Sequence, residues 1–465
     1  MAATHYWGAL LVLALILGVG LYSGSRVKSA QDFATGSGKT GPGIVAGVII
    51  GTLAGGSSTI GTAQLAFING FSAWWFTLGG GIACLVLIFF YARPLHASGA
   101  STMPQILVGE YGRTAAVTAL LLTSLGSMLS IISQVLSGVA LITSVSGLSV
   151  SMAALLSVIL MLAYVLFGGV WGSGLAGLAK TFLLLSLVGL AGLLALYWQG
   201  GWSSFRSILP ADRYFSLVGR GVAVDVGAGI SLIMGMITTQ VYIQAVISAR
   251  SLRAARSGLV ISALIIPIIG LAGILVGLYM RVHRPDIPSS GALPLFILEY
   301  MPPLLGGMMF GALFITVVGT AAGLALGISS MVCADIYRVR INPNADDKTL
   351  LRVSRAVLVG ILVLAAVVGA GNFGSLIISW SFLSMGLRGA VAFGALSTAV
   401  FLSGRISAPY ALGSMYAGLC CTLLGKMTIG HLVDPLFPGV AGSFLVLLAG
   451  YLKGRCSRGE VHHDV

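Results

Sequence analysis

Long apolar segments recur along the whole chain, with short polar stretches between them. Most reach or exceed the roughly 20 residues that a helix needs to cross a bilayer, and they are too long and continuous to be strands of a membrane barrel. The pattern therefore predicts an all-α polytopic membrane protein with about 13 transmembrane helices. The predicted spans are 5–23, 43–68, 71–92, 115–145, 149–170, 174–198, 222–248, 257–280, 304–334, 354–371, 374–403, 407–426 and 432–452.

One of these spans contains a polar interruption. The stretch GTLAGGSSTIGTA, residues 51–63, has four glycines, two serines and three threonines inside an otherwise apolar run. Glycine costs roughly 1 kcal/mol in a helix interior, and a helix that breaks at membrane depth frees carbonyls that must line a cavity. Transporters use such broken helices to bind ions and solutes near the midplane. The stretch predicts a break, with close helix packing through small residues as the alternative.

The charged residues favour a membrane location and predict an orientation. Only 8% of the 465 residues are charged, against about a quarter in soluble domains. The net charge of +13 does not indicate a nucleic-acid partner, because the basic residues are scattered over short loops. With the N-terminus outside, seventeen basic residues face the cytoplasm and six face outward, in agreement with the positive-inside rule. We expect a protein of the cytoplasmic (inner) membrane, surrounded by lipid, with its C-terminus in the cytoplasm.

Two basic residues, Lys180 and Arg388, lie inside predicted spans. An arginine near the middle of a span costs at least ~2.5 kcal/mol unless it is compensated. Arg388 could bind a solute carboxylate through a bidentate contact, or it could join helices through backbone carbonyls or Asp225. Few carboxylates lie within spans, Asp225 being the nearest. This scarcity of internal partners favours an anionic or zwitterionic solute.

Four stretches, taken in order, resemble a known family. They are DFATGSGKTGPGIVAGVIIGTLAGGSSTIGTAQLAFINGFSAWW (32–75), GASTMPQILVGEYG (99–112), TTQVYIQAVISARSLRAARSG (238–258) and ALPLFILEYMPPLLGGMMFGALFITVVGTAAGLALGISSMVCADIYR (292–338). Their order and spacing resemble the sodium/solute symporter family, which includes carriers of sugars, proline, pantothenate and sialic acid. The resemblance covers most of the chain.

The resemblance implies a leucine-transporter-like fold, in which two inverted repeats of five helices form the core. The first core helix is expected to be broken, and the sixth is a further candidate for a break. The implied divisions are a leading helix and cytoplasmic loop (1–40), a first repeat (41–200), an outer loop (201–221), a second repeat (222–403), two trailing helices (404–452) and a cytoplasmic tail (453–465). We number the ten core helices from 43–68, so that 115–145, 174–198, 222–248, 304–334 and 374–403 are core helices 3, 5, 6, 8 and 10.

The resemblance also implies a sodium site between core helices 1 and 8. Carried over by position, the ligands are the carbonyls of Gly51, Ala54 and Thr316, with hydroxyl positions at Gly319 and Thr320. Oxygen ligands suit a hard cation. Gly319 has no hydroxyl, which departs from the family pattern.

Core helix 5 departs from the family in a second way. Thr181 matches a family threonine, Phe182 replaces an aspartate that lies near the sodium site, and Lys180 precedes both. In some proton-coupled transporters of this fold, a lysine on this helix takes the place of the ion. Lys180 could therefore bind and release a proton in each cycle. Alternatively, it reaches the cytoplasmic interface or belongs to a structural ion pair.

The solute is expected at the broken helices. The candidate contacts are Gly55, Gly56, Ser57 and Ser58 in core helix 1, Ser231 and Gln240 in core helix 6, and Arg388 in core helix 10. Ser57 and Ser58 occupy positions where sugar carriers of the family can have a Glu-Gln pair, which disfavours a sugar.

Together these features predict a secondary active transporter that couples an ion, expected to be sodium, to the symport of a small organic solute. Proton-coupled or uncoupled transport through Lys180 is the alternative, and a membrane sensor that keeps the fold without transport is a third interpretation. No enzyme motif, Walker sequence or cofactor is indicated. Sodium is the only metal expected.

Overall fold

The computed structural model describes residues 3–24, 40–165, 169–372, 374–430 and 432–460. Every site residue predicted above lies within these ranges. Most of the loop predicted to be cytoplasmic (25–39) and the end of the tail (461–465) lie outside them. The α-helices are α1 (Ala3–Gly24), α2 (Pro42–Leu53), α3 (Thr62–Asn69), α4 (Trp75–Val86), α5 (Ala92–Ala97), α6 (Met103–Ser146), α7 (Val150–Val165), α8 (Gly169–Leu183), α9 (Gly189–Trp198), α10 (Trp202–Ile208), α11 (Ala211–Tyr214), α12 (Val222–Ile237), α13 (Gln240–Ile247), α14 (Leu252–His283), α15 (Ala292–Tyr300), α16 (Pro303–Met331), α17 (Asp347–Ala370), α18 (Ile377–Arg388), α19 (Gly394–Phe401), α20 (Ala408–Thr428) and α21 (Leu436–Glu460).

The helices confirm the all-α polytopic fold class. In the described residues, eight helices are long and apolar enough to cross a membrane, or nine if the bent pair α12 and α13 counts as one span. The predicted number of thirteen spans is not confirmed by this criterion. One reason is that breaks divide some passes into shorter helices, such as the 12-residue α2. The predicted outer loop 201–221 contains two short helices, α10 and α11.

Core helix 1 is broken where the sequence predicted. Helix α2 begins with Pro42 in its first turn, a favoured position for proline, and ends at Leu53. Ala54 then has φ −73° and ψ 77°, outside helical geometry, and the chain resumes as a π-helical turn at Ser57–Gly61 that continues into α3. Close packing occurs at the same place, because a Cβ on Gly56 would lie 2.1 Å from the Oγ of a core helix 3 serine. The break is confirmed, and glycine also permits the close approach of core helix 3.

Core helix 6 is broken as well. Its halves, α12 and α13, meet at Thr238 and Thr239 with a bend of 49°. A short bridge joins core helices 1 and 6, in which Thr40 donates its backbone N–H to the Ser248 carbonyl at 3.2 Å. The Thr40 hydroxyl donates to the same carbonyl at 2.7 Å. This bridge connects the N-terminal end of α2 to the C-terminal end of α13.

Core helices 3, 5, 8 and 10 surround the broken pair. Helix α8 of core helix 5 packs along α2, and α16 of core helix 8 also contacts α2. Helix α18 of core helix 10 lies between α6 of core helix 3 and α12 of core helix 6. The two broken helices therefore pack against helices of both repeats.

Candidate functional site

Three of the predicted ion ligands meet between core helices 1 and 8, together with Lys180. The Thr320 hydroxyl donates to the Gly51 carbonyl at 3.2 Å. The Lys180 ammonium donates to the Thr316 carbonyl at 3.4 Å and to the Thr320 hydroxyl at 3.3 Å. None of the described contacts joins Lys180 to the other two predicted ligand positions, Ala54 and Gly319. The amine thus lies where the resemblance places a sodium ion.

Burial excludes the prediction that Lys180 reaches the cytoplasmic interface. Its side chain is only 1% exposed. The cause is the packing of core helix 5 on core helix 1, since a Cβ on Gly177 would lie 2.0 Å from the Gly47 carbonyl oxygen. Gly177 and Lys180 are three residues apart and share a helix face, so the lysine projects inward.

The structural ion pair is also wrong for Lys180. Among the described residues, no carboxylate lies within ion-pairing distance of its amine. Asp225, the carboxylate that the sequence offered, accepts from Arg220 Nε at 2.7 Å at the start of α12. Asp225 therefore pairs with Arg220, near the start of its own helix, and with neither Lys180 nor Arg388.

The break in core helix 1 is held by polar side chains that the sequence did not single out. The Gly56 N–H donates to Gln134 Oε1 at 2.7 Å. The Ser57 hydroxyl lies 2.7 Å from the hydroxyls of both Ser133 and Ser381. The signal that could have found them is the pair Ser133-Gln134 inside the apolar core helix 3, since polar side chains within a span usually face the bundle interior.

The other predicted solute contacts divide into two groups. Ser58 stays at the break, where its hydroxyl donates to the Gly55 carbonyl at 2.9 Å. Ser231 instead donates to Asp434 Oδ1 at 2.9 Å, in the segment before α21. Gln240, directly after the break in core helix 6, accepts from the Met103 N–H at 2.8 Å, at the start of α6. The described hydrogen bonds join neither Ser231 nor Gln240 to the break in core helix 1.

Arg388 is fully buried and contacts the break in core helix 6. Its Nη1 donates to the Thr239 hydroxyl at 2.6 Å and to Ser127 at 3.4 Å. Its Nη2 donates to the hydroxyls of Ser384 at 3.0 Å and Ser130 at 3.3 Å. Nε donates to the Ser384 carbonyl at 3.2 Å.

Arg388 thus joins three helices through neutral groups. Asp225 is not its partner, and the one carbonyl contact, to Ser384, lies within its own helix. Arg388 therefore joins the helices through hydroxyls, not through the backbone carbonyls or Asp225 that the sequence suggested. A Cβ on Gly126 would lie 2.5 Å from Arg388 Cγ, so a glycine in core helix 3 makes room for the side chain. The bidentate contact to a solute carboxylate stays a prediction.

Comparison with known proteins decides the family. Residues 33–418 match the profile of the Sodium:solute symporter family. The chain belongs to this family. The symporter is therefore a multi-pass membrane transporter that moves a small solute, and the resemblance inferred from the four sequence stretches is confirmed.

Relatives of the symporter extend over nearly its whole length. It is 25% identical to the sodium/sialic acid symporter SiaT of Proteus mirabilis (strain HI4320) over 94% of this chain and 92% of that protein. A substrate-bound, outward-open structure of a Na⁺-coupled sialic acid symporter superposes with a TM-score of 0.82, at 20% identity, covering 98% of each chain. The nucleobase-cation-symport-1 family transporter Mhp1, in a closed conformation, gives 0.60 at 13% identity, covering 91% of this chain and 95% of that one. The two structures establish the leucine-transporter-like fold of the symporter.

Proposed function

We propose that the symporter couples the movement of a cation to uptake of a small organic solute across the cytoplasmic membrane, with its N-terminus outside. The observation that supports this proposal is the meeting of both broken helices with polar groups of core helices 3, 8 and 10. The solute binds at the break of core helix 1, against Gly55, Gly56, Ser57 and Ser58. The alternating rocking of broken helices against a scaffold exposes such a site to each side in turn.

Family membership and the sialic acid symporters support sodium as the coupling ion. In this candidate the ion is bound by the carbonyls of Gly51, Ala54 and Thr316 and by the Thr320 hydroxyl. Lys180 must then leave the site or lose its proton before sodium enters, because two like charges at one site repel strongly. Gly319 contributes no hydroxyl, so the site has one ligand fewer than the family pattern.

A second candidate is favoured by the position of Lys180. Its ammonium already donates to the Thr316 carbonyl and the Thr320 hydroxyl, two of the groups that would bind sodium. In this candidate the tethered ammonium replaces the ion, and gain and loss of its proton couple the solute to the proton gradient. Lysine suits this role because its charge responds to burial, whereas arginine stays protonated.

The charge of the interior supports an anionic or zwitterionic solute. Lys180 is buried, and no carboxylate among the described residues pairs with it. An uncompensated buried cation favours a ligand of opposite charge. Sialic acid, the solute named for the relatives, is an acid and is one member of this class.

A screen followed by gradient-driven uptake tests the proposal. Purified protein is first heated with small carboxylates, amino acids and sugar acids, sialic acid included, to find a compound that raises its melting temperature. Uptake of that compound is then measured in proteoliposomes under an inward sodium gradient at equal pH, and under an inward proton gradient without sodium. Sodium-driven uptake supports the first candidate, proton-driven uptake the second, and uptake that follows neither gradient contradicts ion coupling.

Two variants identify the coupling group. Lys180→Ala should abolish proton-driven uptake if the lysine carries the proton. Lys426→Ala removes an exposed lysine in the last turn of α20 and should leave uptake unchanged. Equal proton-driven uptake by Lys180→Ala and the native protein would exclude the second candidate.

A further inference from the structure

The two buried cations occupy equivalent places in the two repeats. Lys180 lies on the fifth helix of the first repeat and contacts Thr320 of core helix 8, the third helix of the second repeat. Thr320 in turn contacts the broken first helix of the first repeat. Arg388 lies on the fifth helix of the second repeat. It contacts Ser130 on the third helix of the first repeat and Thr239 at the break of core helix 6, the first helix of the second repeat. Exchanging the repeats converts the helices of one set into those of the other, with the difference that Lys180 reaches its broken helix through Thr320 and Arg388 contacts its broken helix directly.

The backbone beside each cation follows the same rule. A π-helical turn, Leu184–Val188, follows Lys180 in core helix 5, and another, Gly389–Phe393, follows Arg388 in core helix 10. The described residues contain three further π-helical turns, at Ser57–Gly61, Leu87–Tyr91 and Val332–Ile341, so the correspondence rests on the contacts. By those contacts the site at Arg388 is the counterpart, in the inverted repeat, of the site at Lys180.

The groups around Arg388 form an oxygen-lined cation site. The hydroxyl protons of Ser127 and Thr239 are donated to carbonyls of their own helices, at 2.9 and 2.5 Å. Ser130 donates its proton to Ser384, and Ser384 donates to a core helix 3 carbonyl. Each of the four hydroxyls therefore keeps a lone pair that can face the guanidinium, while the second lone pair of Ser384 accepts from Ser130. A fifth oxygen is the Ser384 carbonyl. Neutral oxygens oriented as acceptors are what a hard cation requires.

We propose that this cluster is a second cation site of the symporter, related to the first by the inverted repeats, and that Arg388 fills it permanently as a tethered cation. The guanidinium holds the break of core helix 6 against core helix 3 without an external ion. Removing the side chain leaves an empty site that binds a monovalent cation, and guanidinium fits best because it has the shape of the group removed. The proposal concerns this site alone and does not depend on the identity of the solute.

Thermal unfolding of an arginine-deletion variant tests the proposal. Purified Arg388→Ala is heated in choline chloride, sodium chloride or guanidinium chloride, each at the same concentration of about 50 mM. We expect guanidinium and, to a smaller extent, sodium to raise its melting temperature by about 2 °C or more relative to choline. In the native protein Arg388 fills the site, so the rise in guanidinium should be smaller there than in the variant. Lys426→Ala, which removes an exposed lysine, is the matched control and should behave like the native protein.

A double variant ties any effect to the oxygen cluster. Adding Thr239→Val to Arg388→Ala deletes the oxygen of the shortest contact, 2.6 Å in the native protein, and should abolish the guanidinium-dependent rise. A folded Arg388→Ala with no cation-dependent rise overturns the proposal. If small carboxylates such as acetate stabilise the native protein and Arg388→Lys abolishes that effect, Arg388 binds an anion and the proposal is also overturned.

If Arg388→Ala does not fold, the melting temperatures of two other variants test the tethered cation. Arg388→Lys keeps a positive charge, whereas Arg388→Met has a similar length without charge or donors. A tethered cation predicts that Arg388→Lys unfolds at a higher temperature than Arg388→Met. Equal or greater stability of Arg388→Met shows that the site needs no cation and contradicts the proposal.

Discussion

Replacing Lys180 by alanine should turn the symporter into a protein that binds sodium more tightly. The substitution removes the amine that now donates to Thr316 and Thr320, and it leaves those two oxygens and the Gly51 carbonyl around the vacated space. These oxygens are the ligands that the family resemblance assigns to sodium. Alanine leaves a space in which the ion can bind, whereas methionine at the same position would fill that space.

The expected gain follows from Coulomb repulsion between the ammonium and an ion in the same site. Two unit charges about 4 Å apart repel by about 4 kcal/mol at an effective dielectric constant of 20. Removing that repulsion strengthens sodium binding by about a thousandfold, since about 1.4 kcal/mol corresponds to a factor of ten. The gain is smaller if the native lysine moves aside or loses its proton when sodium enters.

Binding of radioactive sodium to purified protein measures this effect directly. The native protein, Lys180→Ala and Lys180→Met are compared at one pH with choline as the balancing cation. Lys180→Met removes the same charge but keeps the site filled, so it should bind sodium less tightly than Lys180→Ala. Equal sodium affinity in all three proteins would refute the argument that the ammonium and the ion compete for one site.

Three further results are expected. Gly56→Ala should fail to fold or lose transport, because the added Cβ would lie 2.1 Å from a hydroxyl oxygen of core helix 3. The control is Gly360→Ala, whose Cβ meets no atom within 4 Å and which should leave the melting temperature unchanged or slightly raised. Thr320→Ala should lower ion-coupled uptake by about tenfold or more, because it removes one hydrogen bond to Gly51 and one to a charged amine; unchanged uptake would show that this hydroxyl has no part in coupling. Asp434→Ala should lower the melting temperature, because the carboxylate accepts from the Ser231 hydroxyl and from the Leu436 N–H, each at 2.9 Å. An unchanged melting temperature would contradict this role.

The sequence predicted the fold class and the break in core helix 1 because these depend on features of single segments, whereas core helix 6 was a candidate for a break only through the family resemblance. A run of glycine and hydroxyl residues in an apolar span cannot continue an ordinary helix without cost, so the interruption at 51–63 was visible before any contact was known. The resemblance placed Gly51, Thr316 and Thr320 near one another for a similar reason, since each lies at a recognisable position in its own helix. Their meeting with Lys180 was not determined by position alone.

The directions of long side chains were harder to predict because they depend on helix faces. Lys180 could equally have pointed to the interface or inward, and the deciding contact is between Gly177 and Gly47, residues of two different helices. Ser231 and Gln240 lie in the predicted helix, but their partners, Asp434 and Met103, come from distant segments. Neither pattern nor resemblance connects those segments. The rotation of a helix about its axis and the hydrogen-bond partners that other segments offer to its side chains are tertiary properties. The periodicity of one segment does not predict them.

The inverted repeats also explain why the two cations should differ in role although their sites correspond. A lysine can lose its proton when buried, while arginine stays charged under all ordinary conditions. The contact of Lys180 near the break of core helix 1 can therefore be broken by loss of a proton or replaced by sodium. The contact of Arg388 at the break of core helix 6 cannot. A transporter needs one contact that loosens in each cycle and a reference against which it moves. The double variant Lys180→Arg with Arg388→Lys exchanges the two residue types while both sites keep a positive charge. It should therefore lose ion-coupled uptake. Retained coupling would show that a positive charge at each site is enough for coupling, without the proton chemistry of Lys180.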